Sequence, residues 1–434
     1  MMISEQTRAF VDAHRNEDVR DLALHAGRPD GVDMTVALEQ IAGWRTARAK
    51  LPEWAAHDDV WYPPHLAMEQ CSSEFTARYK AGVARRLVAG ESLDTMSNDV
   101  PHAEGATAQS TSSLDPSDNA PDSARSSTLV DLTGGFGVDF SYMARDFEHA
   151  VYVERQPNLC KLAAHNMPAL GLAHARIVNA DAEAYLDSMP DATLVFLDPA
   201  RRDAHGARTY AIADCTPDVL GILDRLLAKA PHVMVKLSPM LDWHKTVDDF
   251  AGHAAEVHIV STGNECKELL VVLDRGTHAS PRIVCVNDAQ LFSFTPPAAT
   301  DPMGSDAGPS PDGHEWRHLY EPNASIMKAG CFDALARSYG VRMIGPNSHL
   351  FVSDEPVEGF PGRSFAIEGV STMNKRELKA ALGDLTHANI AVRNFPMPVA
   401  ALRRKLKLKD GGDAYLFATT DDRGRHLVIR CRKA

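Results

Sequence analysis

Apolar and polar positions follow three different rhythms along the chain. Over residues 1–90 the rhythm is helical. In MTVALEQIAGWRTARAKL, Val36, Ile41 and Trp44 recur on one helical face, and SEFTARYKAGVARRLVAG repeats the pattern with Ser73 placed to cap its start and Gly90 to stop it. The proline-rich WYPPHLAMEQCSS separates these two helices of an N-terminal helical domain. Residues 91–126 lose all periodicity: seven acids precede the single Arg125 and large apolar residues are almost absent, which predicts a disordered acidic linker. From 127 to 295, short Val-rich runs (TLVDLT, HAVYVE, ARIVNA, ATLVFLD, HVMVKLS, EVHIVST, ELLVVLD) are spaced by helix-length segments. Such runs predict an α/β domain with its sheet buried on both faces. Residues 296–314, rich in Pro, Gly and Ser, read as a second linker. Residues 315–434 mix helical NASIMKAGCFDALARSYG and NKRELKAALGDL with strand-like SHLFVS, RSFAIEGV, AYLFATT and RHLVIRCR, the last two closing as a hairpin around Asp421–Arg425. A small α+β domain fits them.

Composition narrows the class. At 434 residues the chain is too long for one ordinary core. No stretch approaches the roughly 18 apolar residues of a membrane helix, so the expected location is the cytoplasm. Seven widely spaced cysteines without a C-x-x-C pair indicate neither a disulfide framework nor a zinc site, and no metal is expected. The net charge of −13 taken alone argues against a nucleic-acid partner, but it is unevenly spread. Residues 320–434 hold 18 Lys/Arg against 12 Asp/Glu, an excess of +6 that leaves −19 on residues 1–319. A local basic surface is what a polyanion meets.

Candidate chemistry begins at VDLTGGFGVDF, residues 130–140, where Gly134, Gly135 and Gly137 lie between a strand and a helix. In that setting a nucleotide-like ligand approaches the backbone. A dinucleotide fingerprint starting at Gly135 needs a small residue at position 140, and Phe140 disfavours it. Read from Asp131, the stretch is D-x-x-x-G-x-G and resembles motif I of class I S-adenosylmethionine-dependent methyltransferases. The acids that follow resemble the same pattern, with Glu154 closing the second strand, Asp181 the third and Asp198-Pro199 the fourth. The resemblance implies a role for each. Asp131 would balance the ammonium group of S-adenosylmethionine, Thr133 stands where many members have a glycine, and Gly135 and Gly137 would clear space for the methionine end. Glu154 would receive the ribose hydroxyls, Asp181 the adenine amino group, and Ala182 would offer its amide to the ring. Asp198 and Pro199 would hold the acceptor beside the methyl group.

The acceptor is less legible. In amino-methyltransferases the fourth-strand motif continues Pro-aromatic, whereas here it continues Ala200-Arg201, so base stacking does not carry over. Arg201 and Arg202 suit contact with phosphate, or an ion pair with Asp203. A cysteine route to pyrimidine C5 finds Ser238 in KLSPM; Cys266 reads as an ordinary buried thiol, and Lys236 as an ion-pair partner within reach of the site. In VRNFPMPVAALRRKLKLKDGGDAYLFAT, Arg393, Arg403, Arg404, Lys405, Lys407 and Lys409 fall close to Phe395 and Tyr415. Basic residues interleaved with aromatics suit RNA, and a solvated helix face is the competing reading.

Taken with QIAGWRTARAKLPEW, MEQCSSEFTARYK, DLTGGFGVD, LDPARR, YEPNASIMKAG, FPGRSF and RNFP, the chain resembles the class I methyltransferases that carry a C-terminal THUMP-like domain. The resemblance implies a Rossmann-like methyltransferase domain over 127–295, a THUMP-like substrate-binding domain over 315–434, S-adenosyl-L-methionine as cofactor, and RNA, of the tRNA or rRNA class, as substrate. Methylation of a protein or small molecule, or RNA binding with a vestigial pocket, are the alternatives.

Overall fold

The computed structural model of the chain describes residues 3–25, 27, 29–93, 127–201, 212–297, 316–383 and 385–434. The expected linkers at 91–126 and 296–314 lie almost wholly outside the described residues, as does Arg202. The chain divides into two compact units, residues 1–260 with 267–282, and residues 261–266 with 283–434.

In the first unit six helices, α1 (Glu5–His14), α2 (Val19–His25), α3 (Met34–Lys50), α4 (Pro52–Ala55), α5 (His65–Gln70) and α6 (Glu74–Ala89), precede the sheet. The Ser73 hydroxyl accepts the Thr76 N–H at 3.3 Å to open α6, and Gly90 closes it at φ +67°. The sheet consists of β1 (Thr128–Asp131), β2 (His149–Glu154), β3 (Ala175–Asn179), β4 (Leu194–Leu197), β5 (His232–Leu237), β6 (Ala254–Thr262) and β7 (Glu265–Asp274). Their spatial order is β3-β2-β1-β4-β5-β7-β6. Strands β1 to β5 pair in parallel and β7 runs antiparallel to β5. All four residues of β4, Leu194–Leu197, are buried, as a central strand covered on both faces requires. Intervening helices are α7 (Val138–Met143), α8 (Pro157–Ala169), α9 (Ala182–Ser188), α10 (Leu223–Lys229) and α11 (Trp243–Asp249). The order reverses between β1 and β4, and in open α/β sheets the crevice at the carboxyl ends beside such a reversal is where ligands bind.

The helices of residues 1–90 pack directly on the loop after β1. Trp54, fully buried, sets its ring edge against Phe136 with centroids 4.8 Å apart and donates Nε1–H to Ser141 Oγ at 3.3 Å. Asn166 on α8 likewise brackets Trp61, with Trp61 N–H donating to Oδ1 and Nδ2 to the Trp61 carbonyl, both at 2.9 Å.

The second unit carries the hairpin β8 (Arg282–Asn287) and β9 (Gln290–Phe294), and a seven-stranded sheet. The sheet strands are β10 (His318–Pro322), β11 (Arg342–Met343), β12 (Phe351–Ser353), β13 (Gly362–Thr372), β14 (Asn389–Val392), β15 (Ala414–Thr420) and β16 (His426–Lys433). They lie in the order β11-β12-β10-β13-β16-β15-β14. The single helix expected over NASIMKAGCFDALARSYG is two, α12 (Ala324–Ala329) and α13 (Phe332–Tyr339), because Gly330 adopts φ +67° and stops the first. α14 (Lys375–Leu382) and α15 (Val399–Leu406) complete the unit, α15 burying Leu402 beside Leu416 and Val428.

Candidate active site

A cleft of about 750 Å³ in the first unit opens at the carboxyl ends of β1, β2 and β4. Asp131, the last residue of β1, is buried, and its Oδ1 accepts the Thr133 N–H at 2.9 Å. Burial pushes its carboxyl well above the usual range, against the pull of that hydrogen bond, and the nearby Asp139, Asp198 and Glu154 push the same way. Thr133, in place of the expected glycine, accepts the Asp198 N–H on its hydroxyl at 2.6 Å and so ties the β1 loop to the end of β4.

The glycines serve the protein's own packing first. A Cβ on Gly134 would lie 2.2 Å from the Tyr152 ring, whose hydroxyl donates to the Gly135 carbonyl, and one on Gly137 would lie 2.6 Å from Met167 Cε. Gly135 and Gly137 also hold φ of +55° and +88°, where side chains are strained. The Gly135 N–H donates to Glu154 Oε2 at 3.0 Å, while the Gln156 N–H donates to Oε1 at 2.8 Å. Glu154 is therefore clamped at the end of β2, buried, each oxygen accepting one backbone bond.

Asp181 is an N-cap. Its Oδ1 accepts the Glu183 and Ala184 N–H groups at 3.0 and 3.3 Å, starting α9 with Ala182 as its first residue. Asp198 and Pro199 follow β4 on the cleft wall. Beyond them Ala200 and Arg201 pair with Cys215 and Thr216 in a two-residue antiparallel ladder. Asp131, Glu154, Asp181 and Asp198 thus all line one cleft.

Beneath Asp198 lies a chain of alternating charge. Asp198 Oδ2 accepts from Lys236 Nζ on β5 at 2.6 Å; Lys236 stands 3.5 Å from Asp139 Oδ2; Asp139 Oδ1 stands 3.3 Å from Lys80 Nζ; and Lys80 donates to Glu268 at 2.5 and 2.7 Å. Ser72 donates to Asp139 at 2.8 Å. Burial works against the Lys236 charge, but Asp198, Asp139 and Glu268 outweigh it and hold the ammonium above the ordinary lysine range. For Asp139 burial is likewise overcome, by Lys80 and Lys236, and its carboxyl is held below the usual range. Ser72, Lys80, Asp139 and Glu268 have no role in the sequence reading, where EQCSSEFTARYK supplies a helix start and one motif of the family resemblance. The signal was the run of small and apolar residues around Lys80: α6 is buried almost all round from Thr76 to Ala84, and a lysine there needs a carboxylate.

A solved structure from Porphyromonas gingivalis W83, described as a "putative methyltransferase", matches 100% of this chain and 100% of its own at 29% identity with a TM-score of 0.78. Residues 362–433 match the family described as THUMP domain-like, and residues 318–361 match a ferredoxin-like domain. The chain has a methyltransferase fold and a THUMP-like domain. An S-adenosylmethionine-dependent methyltransferase from Agrobacterium tumefaciens (14% identity, 36% of this chain and 57% of that one, TM-score 0.27) and an rRNA methylase from Streptococcus thermophilus (13%, 34% and 86%, 0.26) overlap only about a third of the chain, too slightly to bear on function. No curated protein matches the chain.

The basic residues expected to form one patch divide. In the THUMP-like domain Arg404 and Lys405, at the end of α15, and Lys407 and Lys409 beyond it are exposed. Arg403 is paired with Asp410, and Arg393 with Glu321 at 2.9 Å. Phe395 and Tyr415 are partly buried, the first packed against the cluster around Leu402 and the second against the cluster around Phe365. On β15 and beside α15 each ring covers apolar neighbours with one part and stays partly exposed with the rest. Among the described residues, no helix is long and apolar enough to cross a membrane, and no cluster of His, Cys, Asp or Glu is arranged to hold a metal.

Proposed function

We propose that the chain is an S-adenosylmethionine-dependent methyltransferase acting on RNA. The observation that carries the reading is that Asp131 and Glu154, the last residues of β1 and β2, and Asp181 and Asp198, just beyond β3 and β4, line a single cleft around the β1 loop. The residues present fit the cofactor. Asp131 is a buried carboxyl whose ionised form is disfavoured by burial, and a cationic group set against it would reverse that cost. Each Glu154 oxygen accepts one backbone bond and has capacity for another, as two ribose hydroxyls require. The cap at α9 uses Asp181 Oδ1, so Oδ2 is the atom for the adenine amino group, with Ala182 beside it. Gly135 and Gly137 shape the loop, and Thr133 braces it.

When bound, the cofactor supplies a methyl group on a sulfonium. The chain's own part is orientation. Asp198 is fixed through its N–H by Thr133 and through Oδ2 by Lys236, which leaves Oδ1 to accept a hydrogen bond from the acceptor, with Pro199 completing that wall. A held acceptor replaces a bimolecular encounter with an oriented one. RNA is supported by the THUMP-like match, by the +6 balance of residues 320–434, and by the exposed Arg404, Lys405, Lys407 and Lys409. Arg201 and Arg202, which follow Pro199 and Ala200 in the sequence, are assigned to phosphate, and a structured tRNA or rRNA in the cytoplasm is the substrate class.

The test is labelled methyl transfer from S-adenosylmethionine to fractionated cellular RNA, followed by nucleoside analysis. Label in one modified nucleoside is expected. Label only in protein or small molecules would overturn the RNA assignment, and cofactor binding without transfer to any fraction would mark the pocket as vestigial.

A further inference from the structure

Three of the sequence motifs with no role in the cleft converge in the second unit: the YEP of β10, within the ferredoxin-like match, and the PGR opening β13 and the RNF after β14. From them come Glu321, Arg363 and Arg393. Glu321 Oε2 accepts from Arg363 through Nε at 2.9 Å and through a second guanidinium nitrogen, and Glu321 Oε1 accepts from Arg393 at 2.9 Å. The Glu321 side chain is 6% exposed, whereas those of Arg363 and Arg393 are 49% and 39% exposed. One buried carboxylate thus gathers two arginine side chains that are both partly exposed.

The local backbone is built for this. Glu321 and Arg363 are direct partners in the β10–β13 ladder. The strands can approach there because position 362 is glycine, where a Cβ would fall 2.2 Å from the Glu321 carbonyl oxygen. Arg393 is anchored by its own N–H to the Ala418 carbonyl at 2.9 Å. The trio carries one net positive charge, and the buried Arg393 Nε–H has no acceptor among the described residues. A neutral pair of one arginine and one carboxylate holds no spare charge, whereas this trio presents an unmatched guanidinium on two partly exposed side chains.

We propose that Arg363 and Arg393, fixed in place by Glu321, form a phosphate-binding fork that takes a backbone phosphate of RNA. The fork follows from what a phosphate requires: planar donors presented in parallel, with little rotamer entropy left to lose. This assignment rests on the RNA reading for its occupant, and not for the existence of the site.

The experiment uses the full-length protein and a short fluorescein-labelled single-stranded RNA, with affinity read by anisotropy across a salt series. Arg363→Gln should weaken binding about tenfold, the scale of a charged hydrogen bond, and lower the slope of log affinity against log salt by about 0.7. Glu321→Gln separates a fork from a diffuse basic surface. Removing a negative charge would tighten RNA binding to a diffuse surface, but it frees the two arginines and so weakens binding to a fork. Unchanged slope in Arg363→Gln with unchanged or tighter binding in Glu321→Gln overturns the proposal. If Glu321→Gln does not fold, Arg363→Gln and Arg393→Gln decide it. If the wild-type chain binds no RNA, the RNA reading falls separately, and calorimetry with tripolyphosphate reads the fork. Binding lost in Arg363→Gln then supports it, and no binding to the wild type overturns it.

Discussion

The two units use charge in opposite ways. In the first, Lys80, Glu268, Asp139 and Lys236 are buried and neutralise one another, and Asp198 emerges at the end of their chain. In the second unit the cations stand at the surface, held by one buried glutamate or at the end of a helix. The contrast follows from desolvation. A charge removed from water is tolerated only with a fixed partner, so buried charges set geometry, while exposed charges keep their hydration and remain available to a polyanion. An interior network should therefore respond to substitution through folding and orientation, and the surface set through salt-dependent binding.

The largest expected effect is at the end of the buried chain. Asp198→Ala should reduce methyl transfer about 100-fold or more, the scale of lost acceptor orientation, with cofactor affinity by calorimetry within a few-fold of wild type. Equal loss of both would move Asp198 from the acceptor to the cofactor side. Next comes Lys80→Met, which strands Glu268 and Asp139 without their shared cation. Urea denaturation should show a loss of about 3–5 kcal/mol, as for a broken buried pair, and a loss below about 1 kcal/mol would mean that the network is solvated like a surface pair.

Asp131→Asn should act with opposite signs on two measurements. The folded-state pKa of Asp131 is raised, so its contribution to stability is fully present below the unfolded value and is lost as pH rises through the folded one. At neutral pH the asparagine variant of the free protein should be more stable than the wild type, the difference shrinking toward zero in acid, while cofactor binding weakens. A stability difference that does not change with pH would show Asp131 to be an ordinary solvated acid. The smallest effect is at the surface: neutralising Arg404, Lys405, Lys407 and Lys409 together should flatten the salt dependence of RNA affinity by about 0.7 for each phosphate no longer neutralised and leave melting temperature unchanged. Neutralising Arg403 alone, already paired with Asp410, should leave the slope where it is.

Much of the first unit was legible because periodicity reports burial. Val-rich runs become strands covered on both faces, and an acid stands at or just past the end of each of the first four, so Asp131, Glu154, Asp181 and Asp198 stood out in the sequence. Asp181 was only half legible. Its carboxylate was read for a ligand, but one oxygen starts α9, so Asp181→Asn, which keeps the cap, is a cleaner probe of the cleft than alanine. The glycines were read as space for a ligand, and at Gly134 the space is filled by Tyr152, 18 residues away in the chain.

By itself the sequence determined the elements, their order and the acids at their ends, since these depend on the near-neighbour pattern of apolar and polar side chains. Only the tertiary structure decided which charges meet. Lys80 reaches Glu268 across 188 positions and Glu321 gathers Arg363 and Arg393 from 42 and 72 positions away. No local pattern records such pairings, because the free energy that selects a partner for a buried charge depends on which strands and helices pack side by side.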